Sequence, residues 1–185
     1  MPFACLILLI SLLVPGMAKQ ENGECCPEMP EQVHTHVDLP RELLEAYPEE
    51  RPADAVKFQG SYYKVFTDEE QNLTWHQKKA LCERMGGHLA VIETSQEQAF
   101  IAKLADDRYL SLGATDEENE GEWIWINGAE WVETHWMGGQ PNNWEGDENY
   151  LATYMGGEWV DVAAEGKKFW LPTGFICEWD EGHAP

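Results

Sequence analysis

Basic residues are scarce: 12 Lys and Arg stand against 34 Asp and Glu, a formal net charge of −22 over 185 residues. An excess of that size repels nucleic acid and anionic lipid and draws cations or basic partners, so no nucleic-acid partner is expected. The acidity alone does not establish calcium binding, because many exported proteins are acidic for solubility. Long apolar runs are also lacking. The stretch Leu6 to Val14 is too short to cross a bilayer, and no other is long enough, so no membrane span is expected. The motifs of common catalytic sites are missing too: there is no Gly-x-Ser-x-Gly elbow, no phosphate loop and no His-Glu-x-x-His run. His76, His88 and His135 stand isolated, and paired carboxylates carry little weight in so acidic a chain. We expect a binding protein, not an enzyme. Cysteine is sparse and lacks the two-plus-two spacing of a zinc site.

What is present at the N-terminus has the form of an export signal. The short apolar run suits a signal-peptide core, and Gly16-Met17-Ala18 puts small residues where a signal peptidase reads, although the basic n-region is missing apart from the amino terminus. Residues 1–18 are therefore expected to be a signal peptide, taking Cys5 with them, and the mature chain to be secreted. Cys25, Cys26, Cys82 and Cys177 remain. In an oxidising compartment an even count argues for disulfides, and four cysteines allow three connectivities. Residues 19–55, rich in Glu and Pro, read as an acidic linker. Within it PRELLEAY, Pro40 to Tyr47, could form a short helix with proline at its first position. His34 and His36 alternate as strand neighbours and could chelate a transition metal; we read them as two solvated linker histidines.

The character of the chain changes from Phe58. FQGSYYKVF alternates aromatic with small or polar residues and predicts a strand. Thr74 and Gln77 make a capping-box pattern ahead of a helix with Ala80, Leu81 and Met85 as its apolar stripe, stopped by Gly86-Gly87. Ser95 and Gln98 repeat the pattern before a second helix that buries Phe100, Ile101 and Leu104. From Tyr109 onward come short aromatic runs divided by Gly, Asn, Asp and Pro. Trp123 and Trp125 face one side of a strand and Ile124 and Ile126 the other, and FICEW, Phe175 to Trp179, predicts a buried closing strand. All nine tryptophans lie beyond residue 74, which places the core there. The expected class is α+β: two early helices, then a loop-rich β half with a small antiparallel sheet.

Five stretches, in order, resemble the C-type lectin-like domain family: ALCERMGGHLAVIET, LGATDEENEGEWIW, W-MGGQPNNW, GEWVDV and GFICEW. The resemblance covers roughly residues 56–180 and leaves 181–185 as a tail. It implies a disulfide between Cys82 and Cys177, which would stabilise the fold by about 4 kcal/mol in the chain-entropy model. The family's usual inner disulfide falls here on Asn149 and Ala164, so both its cysteines are gone together. Cys25 and Cys26 lie outside the domain and could join chains into an oligomer, pair with each other, or stay free. Asn72-Leu73-Thr74 is a glycosylation sequon.

The resemblance also gives a meaning to GGQPNNWEGDEN, Gly138 to Asn149. It implies a cis Gln140–Pro141 bond that points the Gln140 and Asn142 amides the same way, and it implies that Gln140, Asn142, Asp147 and Asp161 are ligands of a sugar-binding Ca2+ site. A sugar would complete the cation's shell with two hydroxyls. Beginning the motif with Gln goes with galactose-type sugars, and Trp144 either stacks on the sugar's apolar face or packs the loop onto the core. Two departures weaken this site: Val160 stands where the family usually has Asn, and Asn142 where galactose binders usually have Asp. A second, structural Ca2+ site is implied at Asp116, Glu120, Asn143 and Glu148, three of them carboxylates in a stretch that would otherwise be a solvated acidic turn. Two functions are compatible with these residues: a secreted lectin binding glycans or glycoproteins, with calcium and galactose-type preference, or a calcium-independent module that binds a protein or other surface through the same loop.

Overall fold

The computed structural model describes residues 37–68, 70–132, 134–165 and 171–181. The expected signal peptide, Cys25, Cys26, His34, His36 and residues 182–185 of the tail lie outside the described residues.

FQGSYYKVF is a hairpin, not the single strand its alternation predicted. β1 (Val56–Phe58) pairs with β2 (Ser61–Thr67), and the register Phe58↔Ser61 leaves a two-residue turn. Gln59 and Gly60 both take positive φ, 46° and 106°, the geometry that reverses a chain in two residues. β2 then runs antiparallel to β8 (Gly174–Asp180) over seven rungs, from Ser61↔Asp180 to Thr67↔Gly174. FICEW is the buried closing strand, as expected: six of β8's seven residues are buried.

Between these strands lie α2 (Trp75–Arg84), β3 (His88–Leu89), α3 (Ser95–Ala105), β4 (Leu110–Thr115), β5 (Ile124–Trp125), β6 (Tyr150–Thr153) and β7 (Trp159–Val162). The sheet order is β1-β2-β8-β4-β6-β7, with β3 on β8 and β5 on β4. All pairings are antiparallel except β4 with β8, which is parallel at Ser111↔Phe175, so the sheet is mixed and not purely antiparallel.

The capping box of α2 forms as expected: Thr74 Oγ1 accepts the Gln77 amide and Gln77 Oε1 accepts the Thr74 amide. Its buried face is Trp75, Lys78, Leu81, Cys82 and Met85, with Ala80 only half-buried. Lys78 replaces the expected alanine because its ammonium is satisfied there, 2.9 Å from the Pro172 carbonyl and 3.3 Å from the buried Asp68 carboxylate. Gly86 ends the helix at φ 73°, and Gly87 lets it approach β8, since a Cβ there would lie 2.4 Å from the Glu178 carbonyl oxygen. On α3 the cap is Thr94, one residue earlier than expected, accepting from the Glu97 amide. Ile101 is fully buried while Phe100 and Leu104 are half-buried; Glu97 and Gln98 take the inner positions because each finds hydrogen-bond partners there.

The folded body reaches further towards the N-terminus than residue 56. α1 (Arg41–Ala46), with Pro40 as its cap, buries Leu43, and Tyr47 packs its ring 5.9 Å from both Phe66 and Phe175. Arg84, at the end of α2, donates to the carbonyls of Leu44, Tyr47 and Pro48 and pairs with Glu49. Pro and Glu content made this stretch look unfolded, but two well-spaced apolar residues suffice to dock it.

Cys82 and Cys177 are fully buried and their thiols lie close enough for one to act on the other, yet no bond joins them: both are free. Burial pushes the Cys82 thiol well above its usual range. The expected disulfide is thus represented by adjacency alone, brought about by the packing of α2 on β8.

Candidate functional site

The chain from 127 to 149 is long and almost free of regular structure, so its shape must come from side chains. At its base stands a tryptophan cluster. Trp159 of β7, fully buried, has ring centroids of Trp125, Trp131 and Trp136 within 5.4–6.0 Å, and its Nε1 donates to Gln98. Trp123 and Trp125 are buried and Ile124 exposed, as the alternation required. The loop then runs beside β7: the Trp159 amide donates to the His135 carbonyl and the Met137 amide to the Trp159 carbonyl.

From that anchor the loop turns through Gly139, φ 93°, into a cis Gln140–Pro141 bond. The two flanking amides meet on one side of it, with Asn142 Nδ2 donating to Gln140 Oε1 at 2.7 Å. Asp161, buried on β7, holds the next two residues of the loop. Its Oδ2 accepts the backbone amides of Asn142, at 2.9 Å, and Asn143, at 2.6 Å. Asn143 is left-handed (φ 43°, ψ 54°), and its side-chain amide links two further acids: Nδ2 donates to Glu120, and Oδ1 accepts the Glu148 amide. Glu148 Oε2 in turn accepts the Trp144 amide at 2.8 Å, holding the short 3-10 turn Trp144–Gly146.

Asp116, at the end of β4, completes the group. Its Oδ2 accepts the Gly121 amide at 2.8 Å and so closes the acidic turn. Its Oδ1 is buried and has no partner, and the same is true of Asp161 Oδ1. Burial holds the Asp116 carboxyl above its usual range against the Gly121 bond, and the charge of Asp161 adds to the rise. Glu148 is likewise raised, by burial first and then by the charges of Asp161, Asp147 and Glu145. Two unpartnered, buried carboxylate oxygens among acids that repel one another call for a cation. The residues fit a calcium-type ion: they offer carboxylate and amide oxygens and no soft ligand.

The two sets expected from the sequence are therefore brought together, with Asp161 common to both. Asn143 ties Glu120 to Glu148 by hydrogen bonds, while the Asp116 carboxylate is bonded to the Gly121 amide and reaches the group through the nearby charge of Asp161. Gln140, Asn142, Asp147 and Asp161 line one cavity of about 730 Å³ with Trp144. Trp144 is 68% exposed, so it does not pack the loop onto the core. Val160 lines the same cavity while belonging to the core, and brings methyl groups to the wall. The sequence reading missed Glu145, Glu165, Tyr109, Met137, Tyr154 and Leu171, which also line the cavity. Tyr109 and Tyr154 meet edge-on at 5.3 Å across it. No local pattern marks them, since they come from the ends of separate strands.

The geometry has parallels. The chain matches the Lectin C-type domain over residues 71–178. It is 32% identical to the hepatic lectin of Gallus gallus over 115 residues, 60% of this chain and 56% of that protein. To CD209 antigen-like protein D of Mus musculus it is 33% identical over 122 residues, 64% of this chain and 49% of the other. The chain thus spans about half the length of the curated relatives it matches. Among solved structures, the C-type carbohydrate-recognition domain of cow CD23, determined in the presence of a GlcNAc2Man3 oligosaccharide, superposes with a TM-score of 0.63 at 26% identity, covering 72% of this chain and 98% of that one. By sequence and by fold, this chain belongs to the C-type lectin family.

Proposed function

We propose that the chain is an extracellular carbohydrate-binding lectin whose long loop takes a calcium ion and, beside it, a galactose-type sugar. The observation that carries this reading is Asp161: one oxygen holds the Asn142 and Asn143 amides, and the other is buried without a partner where Asp116 Oδ1 is too. Asp116, Glu120, Asn143, Glu148 and Asp161 would hold the ion once their carboxylates draw closer, since no three of these carboxylates bring ligand atoms within 4.8 Å of one another here. When bound, it neutralises their mutual repulsion and gives sugar hydroxyls a positive centre to approach. Gln140, Asn142 and Asp147 face the cavity and offer the hydrogen-bonding groups that orient those hydroxyls. Trp144, exposed at the rim, supplies an aromatic face for the apolar side of a galactose ring. The signal-like N-terminus supports an extracellular location.

A calcium-independent surface-binding module is the second reading, and Val160 is what favours it. Valine offers no oxygen to a cation or a hydroxyl, and here it is buried in the wall of the cavity. Calorimetric titration of metal-stripped protein with calcium, then a galactose-terminated glycan array in about 1–10 mM calcium, tests both. Heat, thermal stabilisation and calcium-dependent glycan binding support the lectin. No heat and no stabilisation would sink it and leave the second reading.

A further inference from the structure

Away from the loop, a different set of ligating groups converges on the sheet. Glu178 and Asp180 are two apart on β8 and so share a face, and His88 of β3 sits directly across from Glu178. One ligand atom from each lies within 4.8 Å of the others; among the described residues no other three His, Cys, Asp or Glu side chains meet that condition. We propose that His88, Glu178 and Asp180 form a binding site for a transition-metal cation of the zinc class, separate from the calcium-type loop.

The histidine is set up as a ligand. Its Nδ1 lies 2.9 Å from the Leu89 carbonyl, which can only accept, so Nδ1 carries a proton and Nε2 is the nitrogen left to face an ion. Nε2 stands 3.4 Å from Asp180 Oδ2. That is long for a hydrogen bond, but two ligands bound to one tetrahedral zinc at about 2.0–2.1 Å are themselves about 3.4 Å apart. Both carboxylates are steadied from behind: Ser61 Oγ donates to Asp180 Oδ1 at 3.1 Å, and the Val91 amide donates to Glu178 Oε2 at 3.0 Å. The His88 side chain is 20% and the Asp180 side chain 48% exposed, which leaves an ion a way in.

A separate observation calls for positive charge at Glu178. The buried Tyr63 hydroxyl lies 2.5 Å from Glu97 Oε1 and 2.8 Å from Glu178 Oε1, yet it has one proton to donate. One of the two facing oxygens is therefore left without that proton, and although each carboxylate accepts a backbone amide at its other oxygen, Val91 for Glu178 and Glu93 for Glu97, a cation beside the pair offsets its buried negative charge. A metal ion bridging Glu178 to His88 and Asp180 meets the need directly. One imidazole with two carboxylates suits zinc, cobalt or nickel; calcium and magnesium prefer oxygen alone.

Cobalt(II) chloride, titrated into the full chain in the presence of excess calcium, is the probe, because tetrahedral cobalt absorbs in the visible. One equivalent should bind, zinc should displace it, and His88→Gln and Asp180→Asn should each weaken binding about tenfold or more. The His34→Gln/His36→Gln double variant should bind as the parent does. The proposal fails if the parent shows no cobalt spectrum, if calcium abolishes binding, or if binding survives in His88→Gln and vanishes with the linker histidines. Melting curves check that each variant folds; if His88→Gln does not, Asp180→Asn, altered at an exposed carboxylate, decides.

Discussion

The Asn143 amide donates to Asp161 Oδ2 at 2.6 Å, while Oδ1 of the same carboxylate is buried with nothing to accept from. One oxygen shapes the loop and the other is left for the ion proposed above. Asp161→Asn keeps an acceptor for the two backbone amides but removes the charge. Calcium-induced thermal stabilisation should fall to a small fraction of the parent's while the calcium-free melting temperature moves by at most a few degrees. Differential scanning calorimetry with and without calcium measures both.

Trp144 is exposed and contributes little to folding. Trp144→Ala should leave the melting temperature and the calcium response unchanged and weaken galactose-type binding by roughly fivefold, the scale of an aromatic contact of about 1 kcal/mol. A matching loss of stability would instead show that the ring holds the loop.

Val160→Asn places an amide oxygen where methyl groups now line the cavity. Glycan affinity in calcium should rise, at a stability cost of about 1–3 kcal/mol for the polar group in a buried position. No change in glycan binding on the array would favour the surface-binding module.

Tyr47 joins α1 to the core between Phe66 and Phe175. Tyr47→Ala should destabilise the domain by about 3 kcal/mol in denaturant melts, and removing residues 19–55 should do at least as much. A linker carrying no fold would show neither effect.

Cys82 and Cys177 are adjacent thiols. Protein refolded under oxidising conditions should lose two hydrogens by mass, at these two positions in a proteolytic map, and gain about 4 kcal/mol over the reduced form. Pairing of either cysteine with Cys25 or Cys26 would refute this.

Much of the fold was legible because it obeys local rules. Thr74 with Gln77 marks the start of α2, the Gly86-Gly87 pair its end, and FICEW the central strand. Where the reading slipped, a tertiary contact had overruled local preference. Lys78 lies in the core because Asp68 and a carbonyl meet it there, Thr94 takes the cap from Ser95, and Leu43 with Tyr47 turns an apparent linker into part of the domain. At the site, the residues of GGQPNNWEGDEN and of the acidic turn were picked out as a set by the family resemblance that their motifs carry. Tyr109, Tyr154 and Met137 were not, because a cavity wall is assembled from elements distant in sequence.

The sequence by itself determined the charge excess, the two capped helices, the order of the short strands and the composition of the loop, since each depends on neighbours along the chain. Only the tertiary structure decided that Asp161 serves both halves of the loop site, that Trp144 faces solvent, and that His88 meets Glu178 and Asp180. Those facts depend on which strands pair and in what register. Pairing is set by the burial of a shared core, which no stretch of the sequence specifies alone.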